Sequence, residues 1–276
     1  MATRPGTPAA PAVTTSLPLV GRAGEMARLS SLLDGAAQGT GQTLFLFGEG
    51  GVGKTRLVTL LAERARKRGC TALIGRAYPV ETGVPYALFA DAFRPLFSGM
   101  DAAQLAVLTR GASGALASLF PGLPGAESTT DRERASTGGD PAELKARLLW
   151  NFAQLLERIS SRQPLLIILE NMQWADASSL ELFHFVARQI PTGVKVALVG
   201  TYNEAERDSN PALRTTEQSL VRLGVAVIQR VEPLREADVA QLVRDMFGTE
   251  ESNLGRFPAL LYSWTRGNPF FIESLR

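Results

Sequence analysis

Histidine and cysteine are almost absent from this chain of 276 residues: each occurs once, as His184 and Cys70. A single cysteine permits no internal disulfide, and one histidine with one cysteine cannot complete a tetrahedral zinc site. Nucleophilic hydrolysis of the Ser-His-Asp or Cys-His kind would depend on that lone imidazole, which argues against it. Lysine is scarce too: Lys54, Lys67, Lys145 and Lys195 are the only lysines among 29 basic residues, so a lysine inside a motif carries weight. No apolar run reaches the ~20 residues that cross a bilayer. The N-terminus, MATRPGTPAAPAVTTS, also lacks the apolar stretch of a signal peptide. A cytoplasmic, reducing location with no membrane partner is the expectation. The net charge of +2 provides no electrostatic footprint for nucleic acid. Glycine and proline follow no three-residue period, which excludes a collagen-like chain.

What remains is ordinary globular material. Hydrophobic residues make up 45% and charged residues 20%, enough for a sizeable core and unlike a disordered chain. Residues 1–17, rich in Ala, Pro and Thr, are expected to form a flexible leader. Met26, Leu29 and Leu33 share one helical face and predict a first helix over 23–33, ended by Gly35 and the Gly39–Gly41 stretch. Short apolar runs predict buried strands at 43–47, 165–169 and 194–200, with further strands at 71–75 and 225–231. Helices are predicted at 55–67, 86–96, 102–108 and 177–188, and from Asn210-Pro211 onwards. Leu144, Leu148, Phe152, Leu155, Leu156 and Ile159 form the apolar stripe of a long helix. Asp140 and Glu143 flank Pro141 there as a capping-box-like start. Residues 121–140 break every pattern and are expected to be a loop insertion. From Arg235 the chain is predicted helical to its end. Apolar strands separated by helices imply an α/β fold whose parallel sheet is covered on both faces.

The segment Gly48-Glu49-Gly50-Gly51-Val52-Gly53-Lys54-Thr55 fits G-x-x-x-x-G-K-[ST] without a mismatch, and Arg56 follows it. A buried strand precedes it and a helix follows. Glycines let the backbone curl around a polyphosphate with its N–H groups pointing inward. The start of the next helix adds free N–H groups and a positive dipole end. Lys54 supplies a full positive charge for the outer phosphates, and the Thr55 hydroxyl is placed to ligate Mg²⁺. Such a site needs an acid at the end of a neighbouring strand on the magnesium side. Glu170, closing the run Leu165-Leu-Ile-Ile-Leu169, is the expected acid, the alternative being that it caps the next segment. Asn171 follows, where many such ATPases carry a second acid. A neutral amide can orient water but cannot accept its proton, so tight ATP binding with slow hydrolysis is expected. Asp176 is a rival water-positioning group, its simpler role being to cap the helix that starts at Ala177.

These motifs together resemble the ATPase domain of STAND-type signalling NTPases, a branch near the AAA+ proteins. The nearest likeness is to bacterial members in large LuxR-type transcriptional regulators and beside adenylate cyclase or kinase domains. The resemblance rests on Leu19-Val20-Gly21-Arg22 with Glu25, on the glycine-rich segment through Arg56, and on Leu169-Glu-Asn-Met-Gln-Trp174-Ala-Asp176. Gly200-Thr-Tyr202 and Gly267-Asn-Pro269-Phe-Phe complete it, so the motifs span 19–271. It implies a P-loop sheet of order 5-1-4-3-2 in a core over 18–233, with a helical lid over 234–276. Val20 and Arg22 should lie at the adenine and ribose end, with Pro269 closing over the base. The strand ending at Tyr202 should report the γ-phosphate. The preference for ATP over GTP rests on this resemblance alone. Family members often carry Arg where this chain has Asn203 and Asp where it has Asn171. In the family, Gly-Asn-Pro introduces further helical segments, so an output domain or helical repeats are expected beyond Arg276, and ATP-driven self-association with them.

The bland readings are that His184 and Cys70 are packed residues. Trp174 is expected to pack at the sheet edge rather than to contact nucleotide. Asp131-Arg-Glu-Arg134 is expected to be a solvated loop, with an arginine finger as its alternative. Two other functions stay open from sequence: a small-substrate kinase using the same P-loop, and a DNA-associated AAA-type ATPase.

Overall fold

The computed structural model describes residues 19–110, 112–120, 140–190, 193–248 and 254–274. The leader, nearly all of the 121–140 insertion and Asp131–Arg134 lie outside the described residues. Five strands, β1 (Thr43–Gly48), β2 (Thr71–Arg76), β3 (Leu165–Glu170), β4 (Val196–Asn203) and β5 (Ala226–Arg230), form one sheet. Their order is β2-β3-β4-β1-β5 and every pairing is parallel, which is the expected 5-1-4-3-2 arrangement read from the other edge. The strand carrying the glycine-rich loop therefore lies beside β4, and β3 lies one strand further away.

Alternation along the strands divides the core. Leu165, Ile167 and Leu169 point into one apolar cluster, while Leu166 and Ile168 point into the other. The first face is covered by α3 (Ala87–Ser98), α4 (Ala102–Thr109), the short α5 (Ser113–Leu116), α6 (Pro141–Arg162), α7 (Ala177–Gln189) and α8 (Pro211–Arg222). On the opposite face lie α1 (Ala23–Ala37) and α2 (Lys54–Lys67). Both faces of the central strands are dry, which is why those strands read as continuous apolar runs. A third apolar cluster joins Leu234 to the helices α9 (Glu236–Phe247), α10 (Phe257–Thr265) and α11 (Pro269–Glu273), using Val239, Leu242, Val243, Leu261 and Ile272.

Several boundaries moved for identifiable reasons. Helix α1 continues through Gly35 to Ala37, because Ala36 is buried and the stop comes only where Thr40 folds back on the Gly35 carbonyl. Strand β4 begins at Val196 rather than Val194, since the Val196 amide donates locally to the Val194 carbonyl. Strand β5, predicted over 225–231, covers Ala226–Arg230 and is a sheet edge with one neighbour, so Val227 and Ile228 are exposed. Asp140 caps α6, but its carboxylate accepts from the Ala142 amide. His184 is half-buried with Nε2 2.9 Å from the Ser219 hydroxyl, and Cys70 is buried. Among the described residues no helix is long and apolar enough to cross a membrane.

Candidate functional site

The glycine-rich segment connects β1 to α2. Gly53 precedes α2 with φ 103°, a conformation that favours glycine, and no side chain caps the helix. The first amides of α2 therefore have no side-chain cap, and they stand at the positive end of a 14-residue helix. Lys54 folds back over the loop, its Nζ donating to the Gly48 carbonyl at 2.8 Å and the Glu49 carbonyl at 2.7 Å. Burial pushes its ammonium down to about 8, opposed by the negative charges of Glu206, Glu204 and Glu49. A partly desolvated cation held by carbonyl oxygens is a receptor for an anion.

These residues border a cleft of about 590 Å³. Gly50, Gly51, Val52, Gly53, Lys54, Thr55 and Arg56 line one side of it. Val20, Arg22, Asn171 and Pro269 line it as well, so the structure brings most of the sequence-predicted residues together. Gly48 and Glu49 do not line it; their carbonyls hold Lys54 instead. Arg22 is buried and its guanidinium is occupied, donating to the Val52 carbonyl at 2.9 Å, the Glu232 carbonyl at 2.7 Å and Glu25 at 2.9 Å. Its role in this geometry is to pin the phosphate loop to α1 and to the exit of β5.

Glu170 is 1% exposed and does not line the cleft. Its Oε1 accepts from Arg76 Nε at 3.0 Å, across the β2–β3 pairing that sets these two residues side by side. Thr55 and Glu170 offer a hydroxyl and a carboxylate, hard oxygen donors that suit Mg²⁺, which keeps most of its own waters. Arg76→Ala leaves a buried carboxylate without its cation and is expected to destabilise the fold by about 1.5–3 kcal/mol, the range for a hydrogen bond to a charged group. A denaturant midpoint equal to that of the wild type would refute this role for Arg76.

Asp176 takes the simpler of its two expected roles. Its Oδ1 accepts from the Ser179 amide at 2.9 Å and the Tyr86 amide at 3.0 Å, and its Oδ2 accepts from the Ser179 hydroxyl. It caps α7 and anchors Tyr86, and it stays outside the cleft. Trp174 packs partly against the sheet-side cluster and also lines the cleft, so its expected packing role is joined by exposure to the site.

Three features of the site have contacts that the sequence did not indicate. Asn268 Nδ2 donates to the Gly50 carbonyl at 2.9 Å, while its Oδ1 accepts from the Phe270 amide at the start of α11. One side chain thus joins the C-terminal helices to the phosphate loop; only its capping half has a local signature. Asn203, the last residue of β4, and Glu206, in the turn after it, also line the cleft. That segment is braced by Tyr202, whose hydroxyl donates to buried Glu217, and by Arg207, paired to Glu217 at 2.7 Å. Burial, with help from Glu217, raises the Tyr202 phenol well above its ordinary range and keeps it a neutral donor. Gln173 completes the brace, accepting from the Asn203 amide at 3.1 Å. Phe270 and Glu273 also line the cleft.

Solved structures of similar fold include Drosophila ORC bound to DNA, which aligns with 98% of this chain and 61% of its own, at a TM-score of 0.53 and 12% identity. The Aeropyrum pernix Orc1 protein in complex with DNA aligns with 92% of this chain and 57% of its own (TM-score 0.47, 16% identity). The Walker-type ATPase of Pyrococcus abyssi aligns with 91% and 65% (TM-score 0.49, 12% identity). At such identities the likeness is one of fold. An uncharacterized protein of Rhizobium meliloti (strain 1021) is 24% identical over 227 residues, covering 75% of this chain and 21% of that protein. The chain therefore spans about a fifth of the length of that relative. Residues 18–199, more than half of the chain, match the AAA ATPase domain family, and the chain belongs to it.

Proposed function

We propose that the chain is a nucleotide-controlled switch of the STAND type, which binds Mg-ATP in the cleft and hydrolyses it slowly to ADP and phosphate. Lys54 and the uncapped amides of α2 hold the phosphates. Thr55, in the cleft lining, and Glu170, buried outside it with its Oε1 held by Arg76, would hold the metal, which would neutralise charge on the outer phosphates. Val20 and Pro269 flank the base. Residues 18–233 act as the ATPase core and 234–276 as a helical lid. Closure of the lid favours self-association or frees an output domain or helical repeats. Asn171, a neutral amide beside the cleft, supports slow rather than fast turnover.

One observation carries the switch reading: the Asn268 side chain bonds to the Gly50 carbonyl, inside the loop that would wrap the phosphates. Any rearrangement of that loop on phosphate entry is felt directly by α11. A DNA partner is not part of the proposal. The Drosophila and Aeropyrum structures contain DNA, but a net charge of +2 gives this chain no electrostatic footprint for nucleic acid.

The test is stability and hydrogen exchange with and without Mg-ATP. At a free concentration 100-fold above its Kd, Mg-ATP stabilises the protein by about 2.7 kcal/mol if it binds only the folded state. Amides of residues 236–273 should become more protected. Identical melting temperature and identical exchange in both states would sink the proposal.

A further inference from the structure

The cleft contains a carboxylate that no motif announces. Asn171 stands where a second acid was expected, and an amide cannot take a proton from water. Glu206, in the 3-10 turn Glu204–Ser209 after β4, lines the same cleft as Lys54, Thr55 and Asn171. Its Oε1 accepts from Asn203 Nδ2 at 2.6 Å. That same Nδ2 lies 3.8 Å from the Cβ position of Gly50 in the phosphate loop, so the carboxylate is one side chain away from the loop. Of the three carboxylates that act on the Lys54 ammonium, Glu206 acts most strongly. The neighbouring acid, Glu204, is occupied by Arg230 at 3.0 Å. Among the described residues Glu206 makes no ion pair, and its carboxylate is steadied by an amide alone.

Resting on the ATPase reading above, we infer that Glu206 is the general base of hydrolysis, with Asn203 as the residue that positions it. The acid has moved from the end of β3 to the turn after β4, the neighbouring strand, at the same cleft. A water oxygen forms its bond to the γ-phosphorus while its proton passes to a Glu206 carboxylate oxygen. The bond from the γ-phosphorus to the bridging oxygen breaks, and its electron pair stays on ADP. The Glu206 carboxyl then returns the proton to solvent, giving ADP, phosphate and one proton from ATP and water. Asn203 restrains the carboxylate because its own amide is anchored on Gln173 and the turn is held by Glu217.

The competing view is that Glu206 only balances Lys54 in the absence of nucleotide. Glu206→Gln on the whole chain separates the two, with ATP affinity read by titration of a fluorescent ATP analogue and turnover by phosphate release under single-turnover conditions. Base catalysis predicts turnover lower by about 100-fold, affinity equal or tighter, and an unchanged melting temperature. Glu206→Asp, which keeps a carboxylate on a shorter arm, should retain more turnover than the Gln variant. Tighter binding with unchanged turnover makes Glu206 a counterion only and overturns the inference. Equal losses of affinity and turnover, equal losses in the Gln and Asp variants, or no measurable turnover by the wild type overturn it as well. Failure of the wild type to bind any ATP analogue is a different result, because it removes the ATPase reading itself.

Discussion

Lys54→Ala is expected to weaken ATP binding by about 100-fold. A hydrogen bond to a charged partner contributes roughly 1.5–3 kcal/mol, and each 1.4 kcal/mol is tenfold in Kd. The upper part of that range applies here, because the ammonium is partly desolvated and already held at the loop by two carbonyls. An incoming phosphate meets a cation whose position is set in advance, so little ordering entropy opposes the contact. The fold should survive: the side chain is only half-buried, and its two contacts are to carbonyls within its own loop. Titration of wild type and variant with a fluorescent ATP analogue checks both points. A Kd within threefold of the wild type would show that the anion, if any, binds elsewhere.

Gly51→Ala is expected to have the other large effect, and on two properties at once. Gly51 has φ 79°, where a residue with a Cβ is disfavoured by about 1–2 kcal/mol. The added Cβ would also sit 2.6 Å from the Phe270 Cβ and 2.8 Å from Asn268 Oδ1. Either the phosphate loop shifts or α11 moves away, and in both cases the Asn268 link to Gly50 is lost. The expected result is a melting temperature lower by several degrees together with ATP affinity down by tenfold or more. The C-terminal helices should also lose the protection that Mg-ATP confers on them in the wild type. Calorimetry and hydrogen exchange on the same sample read all three. Retained nucleotide-dependent protection would show that coupling does not run through this contact.

The two variants differ in how visible their targets are in sequence. Lys54 announces itself, since one local pattern carries the loop, the lysine and the helix start, and all of them are consequences of short-range backbone geometry. The Gly51 contact does not: it depends on a residue 219 positions further along arriving at 2.6 Å. The Gly-Asn-Pro triplet was legible only through the family resemblance, as the introduction to further helical segments. Nothing in the triplet says which loop the other end of the amide will reach. Glu170 and Asp176 differ in the same way. Both are acids in the segment Leu169–Asp176, yet one faces a guanidinium across a strand pairing and the other closes on its own helix and on Tyr86.

Glu206 was invisible for a related reason. The segment Asn203-Glu-Ala-Glu206-Arg-Asp reads as a solvated, charged turn, and two of its acids are equivalent in one dimension. Only the sheet order separates them. Placing β4 beside β1 sets this turn next to the phosphate loop, and Arg230 of β5 then claims Glu204 and leaves Glu206 facing the cleft.

By itself, the amino-acid order determined the alternation of strands and helices, the dry faces of the central strands and the phosphate-binding loop. Those features are written in periods of two and 3.6 residues and in glycines whose backbone freedom acts locally. The tertiary structure alone decided that Arg22 is a brace for the loop, that Arg76 guards Glu170, that Asn268 joins the last helix to Gly50, and which acid enters the cleft. Each of those is a hydrogen bond or a direction set between segments far apart in the chain. Such contacts leave no periodic trace, because they are selected by which surfaces the packed layers bring together.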